Sequence, residues 1–373
     1  MIRKLEVKGL NKRVNAPLNF NEDLNIITGA NGSGKTTLLK LMWYLISGNL
    51  QRILLEIPFD FVSIVTDSFS LTMTHLDVNK VEFVSKENIF SESVDFTVTV
   101  DIENGNLEED ADIEKLKQLN TNITNAMKSS LFFPTFRRIE GGFSTVSRRY
   151  ISGDSSRIRR MYVYHPSGLF HSLQESMSEL SDGISVEDHK FIASISTDDV
   201  ATLLKQKYDD ISRKIDERQV KLSRDITRKI ENYFGNETET KARDAQDAIP
   251  VLEDIRENVD QVTQTREDLL KPFSVLASLT QEILKYKEIS VAEWFSSNER
   301  TEGITLGKGT EGIVLGVASE AISSDKLSSG EKQMLSFLSY NAFYNNTPIF
   351  IDEPELSLHI DWQRLLLPTL LDQ

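Results

Sequence analysis

Apolar and polar residues alternate from the start of the chain, in Lys4-Leu-Glu-Val-Lys-Gly, Ala16-Pro-Leu-Asn-Phe and Leu24-Asn-Ile-Ile-Thr28, which predicts three successive strands. The period then changes. Lys35 to Ser47 is apolar on most sides, as a buried helix is, and Gly48 stands where a left-handed C′ residue ends such a helix. Residues 57–104 alternate again, in Phe59-Asp-Phe-Val-Ser-Ile-Val, Ser70-Leu-Thr-Met-Thr, Lys80-Val-Glu-Phe-Val and Val94-Asp-Phe-Thr-Val-Thr-Val, which predicts antiparallel hairpins and a β subdomain. The acidic run Asp101–Glu114 reads as a solvated loop entering a short helix that ends near Ser129. Ser130-Leu-Phe-Phe-Pro-Thr-Phe follows as a strand and its end.

Between about Ser196 and Phe295 the pattern is helical and charged with both signs. Leu252, Ile255, Val259, Val262, Arg266, Leu269, Phe273 and Leu276 alternate steps of three and four, a heptad seam. Leu204, Tyr208, Ile211, Ile215 and Leu222 form the matching stripe on an earlier helix, with a turn expected near Phe234-Gly-Asn-Glu-Thr-Glu-Thr. Pro272 is expected to kink or end the second helix. The pattern fits both a projecting coiled-coil arm and an ordinary pair of packed helices.

Composition narrows the chemistry. The 373 residues are 39% hydrophobic and 27% charged, with mean hydropathy −0.30, enough to bury a core and ordinary for a globular chain. No run approaches the ~20 apolar residues of a membrane span, and the N-terminus lacks the basic-then-apolar order of a secretory signal, so a cytoplasmic location is expected. Zero cysteines exclude disulfides, thiolate nucleophiles, iron–sulfur clusters and cysteine zinc sites. None of the five histidines pairs with another at helical i,i+4 spacing, which leaves oxygen ligands for any metal. The net charge of −15 argues against a generally basic surface, yet residues 131–170 carry seven arginines (Arg137, Arg138, Arg148, Arg149, Arg157, Arg159, Arg160) against Glu140 and Asp154. That cluster has two readings, contact with nucleic-acid phosphates or pairing with the acidic remainder of the chain.

Gly29-Ala-Asn-Gly-Ser-Gly-Lys-Thr36 fits G-x-x-x-x-G-K-[ST], after the expected strand and at the start of the expected helix. Glycines let backbone N–H groups wrap phosphate oxygens, and the helix N-terminus adds its positive end. The phosphate-binding set is then Asn31, Gly32, Ser33, Gly34, Lys35, Thr36 and Thr37, with Lys35 on the β- and γ-phosphates and Thr36 on Mg²⁺. Pro348-Ile-Phe-Ile-Asp-Glu-Pro354 supplies the acid at a strand end expected of such a site: Asp352 for the metal and Glu353 to polarise the attacking water. The Asn11-Lys-Arg13 turn is a further candidate, for contact with adenine.

Leu327-Ser-Ser-Gly-Glu-Lys-Gln333 precedes the acidic strand and opens an apolar helix; taken alone, Ser328-x-x-Glu331 is a capping box. In the order phosphate loop, long insertion, Ser-Ser-Gly-Glu, strand and Asp-Glu, the chain resembles the ATP-binding cassette (ABC) ATPases. Leu327–Gln333 resembles their signature motif, and Asp352-Glu-Pro-Glu-Leu-Ser-Leu-His359 resembles the Walker B and D-loop form of the OLD, RecF and SMC-like branch. Phe132-Phe-Pro-Thr-Phe-Arg-Arg-Ile-Glu140 is similar to a segment of prokaryotic AAA-15/AAA-21-type proteins, including ATPase subunits of Septu-like and retron-associated anti-phage systems.

The resemblance implies an α/β P-loop NTPase, an ABC ATPase head with an antiparallel β subdomain and an inserted helical or coiled-coil arm. Residues 1–195 would carry the first part of the head, 196–295 the arm, and 296–373 the second part of the head. It also implies a homodimer that sandwiches ATP, with Ser329, Gly330 and Glu331 of one head against the nucleotide on the other head's Lys35, and an arm that transmits nucleotide state. The implied function is ATP hydrolysis coupled to DNA processing or a nuclease effector, in anti-phage defence or repair. The alternatives are a nucleotide-sensing scaffold that holds a nuclease with little turnover, and a transporter ATPase, against which the arm argues. Two departures stand out. The place of the family's Q-loop holds Arg137, Arg138, Ile139 and Glu140 without a glutamine, and the sequence reaches Gln373 in an apparent helix before the strand of the family's switch histidine, as an N-terminal portion of a longer protein would.

Overall fold

A computed structural model describes residues 1–86, 94–101, 106–107, 111–135, 179–192, 197–234, 245–284, 305–306, 313–315, 322–323, 328–344, 346–356 and 358–371. It divides into two compact units, residues 1–195 with 344–373, and residues 196–343.

In the first unit the alternating runs pair into one antiparallel sheet. Strands β1 (Ile2–Leu10), β2 (Val14–Asn19), β3 (Phe61–Thr66), β4 (Ser70–His75), β5 (Lys80–Lys86), β6 (Val94–Asp101) and β7 (Asn106–Leu107) take the order β2-β1-β3-β4-β5-β6-β7. Alternation puts Leu5, Val7, Val62, Ile64, Leu71, Met73, Val81 and Phe83 in the core. Helix α1 (Lys35–Ile46) lies in that core, buried at Leu38 and from Leu41 through Ile46, and a short α2 (Leu50–Glu56) follows. A second sheet covers it. Strands β8 (Ser130–Phe133), β9 (His189–Phe191) and β10 (Ile349–Ile351) are parallel, with β8 in the middle. The Trp43 ring lies 5.8 Å from Phe132 and 5.6 Å from Phe191, so α1 touches this sheet while its neighbours Leu41 and Leu45 join the core of the first. A helix between two sheets needs an apolar circumference, which is why it shows no clean polar face.

Gly48 ends α1 as expected, with φ +70 and the Asn49 N–H donating to the Tyr44 carbonyl, the outer bond of a Schellman motif. Helix α3 (Ala111–Met127) packs behind this turn and runs into β8. The expectation for Leu24–Thr28 is corrected. The segment is not a strand of either sheet; among the described residues no strand hydrogen-bonds to it, and Ile26 is 69% exposed. Alternation supplies a face to bury, but a strand also needs a neighbouring backbone.

In the second unit, helices α4 (Thr197–Phe234) and α5 (Ala245–Leu284) are antiparallel, since Tyr208 meets Phe273 near one end and Lys229 pairs with Asp254 toward the other. Helix α6 (Ser329–Phe343) packs on them through the Phe273–Phe343 ring contact at 4.8 Å. The heptad seam holds in part. Phe273 and Leu276 are buried and Ile255, Val262 and Leu269 half-buried, but Leu252, Val259 and Arg266 are exposed. Val251, Asn258 and Thr265, each one residue back, are half-buried in their place. Helix α5 also continues through Pro272: the buried Phe273 and Leu276 just beyond it outweigh the ~3 kcal/mol that proline costs a helix interior. The turn expected after Phe234 lies outside the described residues.

Candidate nucleotide site

The loop 29–34 turns back on itself through the Ser33 N–H to the Ala30 carbonyl at 3.2 Å, with left-handed φ at Gly32 (+78) and Gly34 (+89). Side chains rarely adopt that backbone, and at Gly34 a Cβ would also sit 3.3 Å from Val14. Gly34 is the N-cap of α1; no side chain caps it and no acid stands in the first turn, so the helix end offers its N–H groups to an anion. The Lys35 ammonium rests on the loop's own carbonyls, Gly29 at 2.7 Å and Ala30 at 3.1 Å. Asn31, Gly32 and Ser33 are exposed on the loop. Thr37 accepts a hydrogen bond from Asn11 Nδ2 at 3.0 Å, which ties the β1–β2 turn to the start of α1. Asn11 and Lys12 have φ of +51 and +59, so this turn presents its side chains from left-handed backbone.

Across 316 residues of sequence, the Thr36 hydroxyl donates to Asp352 Oδ2 at 2.8 Å. The parallel ladder sets this up: Ile349, Phe350 and Ile351 register with Leu131, Phe132 and Phe133, and the Asp352 N–H continues the pairing to the Phe133 carbonyl at 2.9 Å. Asp352 is 4% exposed. Thr135, which sequence reasoning did not single out, donates its hydroxyl to the same Oδ2. The only trace of it in the sequence is a hydroxyl residue just past an apolar strand. Glu353 is half-buried with φ +51. Left-handed backbone is uncommon for glutamate, and Pro354 next to it favours an extended residue, so the turn holds Glu353 in a strained conformation.

Further along the chain, Gln363 Nε2 donates to the Glu355 and Leu358 carbonyls, both at 3.0 Å, which anchors this loop to helix α7 (Ile360–Leu371). His359 is exposed and 3.3 Å from Asp361 at the start of that helix.

In the second unit, Ser329 begins α6, exposed, with Gly330 buried behind it. Ser328 and Glu331 make the reciprocal capping box: the Ser328 N–H donates to Glu331 Oε2 at 2.7 Å and the Glu331 N–H to Ser328 Oγ at 3.3 Å. Arg137, Arg138, Arg148, Arg149, Arg157, Arg159 and Arg160 lie outside the described residues.

The first-unit residues fit a nucleoside triphosphate and its divalent cation. An uncapped helix N-terminus and a lysine suit phosphate, and a threonine hydroxyl with a buried carboxylate suits a hard cation that keeps part of its water shell. Among the described residues there is no cluster of three or more histidine or carboxylate groups that could hold a metal ion. A glycine loop thus opens a helix opposite an acid at the end of a parallel strand, an arrangement that a nucleotide's phosphates and cation would fit.

Comparison with known proteins takes this to a family. Residues 1–372 match the AAA ATPase domain family AAA_15, and the chain belongs to it. The chain is also similar to the Septu protein PtuA of Bacillus thuringiensis, 38% identical over 61 residues. That match covers 16% of this chain and 15% of the relative's length. No helix among the described residues is long and apolar enough to cross a membrane.

Proposed function

We propose that this chain binds ATP with Mg²⁺ and hydrolyses it, and that nucleotide closes two copies head to head. The observation that carries the reading is the Thr36–Asp352 hydrogen bond, which joins the phosphate loop to the acid of a strand far away in sequence. Asn31 through Thr37 hold the phosphates, with Lys35 as the cation among them, and Thr36 and Asp352 hold Mg²⁺, which when bound neutralises charge on the phosphate oxygens. Glu353 orients and polarises the attacking water, and its strained turn keeps it beside Asp352. The Asn11–Arg13 turn, tied to Thr37, contacts the base.

Ser329, Gly330 and Glu331 complete the site of the second copy: the capping box takes up the Ser328 and Glu331 N–H groups, and those of Ser329 and Gly330 at the start of α6 meet a phosphate. The arm of α4 and α5 passes nucleotide state to an effector, a nuclease in anti-phage defence, and the similarity to a Septu protein supports that setting. The arginines from Arg137 to Arg160 contact nucleic-acid phosphates.

The test is the solution mass of Glu353→Gln protein with and without Mg-ATP, beside the same protein carrying Lys35→Ala. Doubling on ATP only when Lys35 is present is the expected result. A mass that ATP leaves unchanged overturns the sandwich and leaves the nucleotide-sensing scaffold, in which assembly does not depend on nucleotide.

A further inference from the structure

Thr36 is the expected partner of Asp352, but it shares the carboxylate. Strand β8 ends at Phe133, and its carbonyl accepts the Asp352 N–H, so the two chains are still in parallel register where the acid begins. Pro134 follows β8 as the residue opposite Asp352 in that register and has no N–H to add to the ladder. Thr135 comes one residue further, level with Glu353, and its hydroxyl reaches back to donate to Asp352 Oδ2. That oxygen already accepts the Thr36 hydroxyl. A carboxylate oxygen has about two lone-pair directions, and both on Oδ2 are taken, one from the start of α1 and one from the end of β8. Among the described residues nothing donates to Oδ1.

We infer that Thr135 is a positioning residue for the cation site: it pins Asp352 through Oδ2 so that Oδ1 is the oxygen left to meet the cation or its bound water. The inference rests on the reading of Asp352 as the cation's carboxylate. Two anchors are needed because one hydroxyl bond leaves the carboxylate free to swing about its χ2, a soft and roughly two-fold torsion. With Thr135 as second anchor the rotation is closed before nucleotide arrives. A hydroxyl that only stapled β8 to β10 would affect folding and leave cation affinity alone.

The experiment is a magnesium titration of fluorescent ATP-analogue binding to the full chain, in wild type, Thr135→Val, Thr135→Ser and Asp352→Asn, with analogue affinity in EDTA measured alongside. Thr135→Val keeps the shape and removes the donor. It is expected to raise the half-saturating Mg²⁺ concentration about tenfold, the low end for a group that orients a metal ligand, and to leave the EDTA affinity unchanged. Thr135→Ser is expected to restore the wild-type midpoint. A Thr135→Val midpoint equal to wild type, or a Thr135→Ser midpoint as weak as Thr135→Val, overturns the inference. If Thr135→Val loses EDTA binding as well, Thr135→Ala, which removes the hydroxyl without filling its place, replaces it under the same criteria. Asp352→Asn separates the two levels. If it leaves the magnesium dependence intact, the cation reading of Asp352 fails; if it abolishes that dependence while Thr135→Val does nothing, only the role of Thr135 fails.

Discussion

Trp43 is fully buried on α1 between the two sheets, with ring contacts to Tyr44, Phe132 and Phe191, and its indole N–H has no hydrogen-bond partner among the described residues. Those facts oppose each other in Trp43→Phe. An indole exceeds a phenyl ring by about 40 Å³, and at about 24 cal/mol per Å³ of unfilled space the smaller ring costs ~1 kcal/mol. The substitution also removes a buried, unpaired donor, a penalty of about 1–3 kcal/mol in its own right. The sum lies near zero or on the stabilising side. Trp43→Ala lacks that relief and costs about 3–5 kcal/mol, because the ring is lost and little can collapse into a space between two sheets. Urea unfolding followed by circular dichroism reads both, through the midpoint at constant slope. Because Trp43 lies two turns from Lys35 on the same helix, Trp43→Phe should also retain ATP binding. A Trp43→Phe protein destabilised by more than about 2 kcal/mol would refute the reasoning, since it would mean that the indole N–H is satisfied in the folded chain.

Gly48→Ala should destabilise the first unit by at least about 1–2 kcal/mol for the left-handed backbone alone. The added Cβ would lie 2.5 Å from both the Asn120 carbonyl and the Thr124 hydroxyl, so urea unfolding should show more than that minimum, and an unchanged midpoint would discount the Schellman turn. His189 is buried, with Nδ1 2.7 Å from Ser130 Oγ and Nε2 3.3 Å from the Thr124 carbonyl, and burial holds its imidazole below the ordinary histidine range. The folded chain therefore resists a proton that the unfolded chain accepts near pH 6.5. Stability is full above that pH and falls below it by up to about 1.4 kcal/mol per pH unit until the folded group titrates. His189→Gln should flatten the urea midpoint between pH 7.5 and 5.5, and an identical fall in both proteins would assign the effect elsewhere. If the arginines from Arg137 to Arg160 meet nucleic-acid phosphates, polynucleotide binding should weaken linearly in log affinity against log salt; no binding at low ionic strength removes that role.

What could be read from sequence were features decided by one segment alone. The Gly29–Thr36 loop, the apolar circumference of α1, the stop at Gly48 and the alternation of β3 to β6 need no knowledge of a neighbour. What could not be read depends on partners. Leu24–Thr28 alternates as a strand does, yet pairing rather than pattern makes a strand, and no described strand pairs with it. In α5 the heptad count admits Leu252 and Val259 as readily as Val251 and Asn258, and only the position of α4 chooses between them. Pro272 breaks a helix by its local cost alone, which the burial of Phe273 and Leu276 exceeds. Asp352 was legible as an acid at a strand end; its second anchor was not, because Thr135 reaches it only through the register of β8 with β10.

The most direct measurement is steady-state ATP hydrolysis in Mg²⁺ together with equilibrium ATP binding, for wild type, Glu353→Gln and Lys35→Ala. The account predicts turnover by the wild type, wild-type binding without turnover in Glu353→Gln, and loss of both in Lys35→Ala. Wild-type turnover by Glu353→Gln, or undiminished ATP binding by Lys35→Ala, would contradict it.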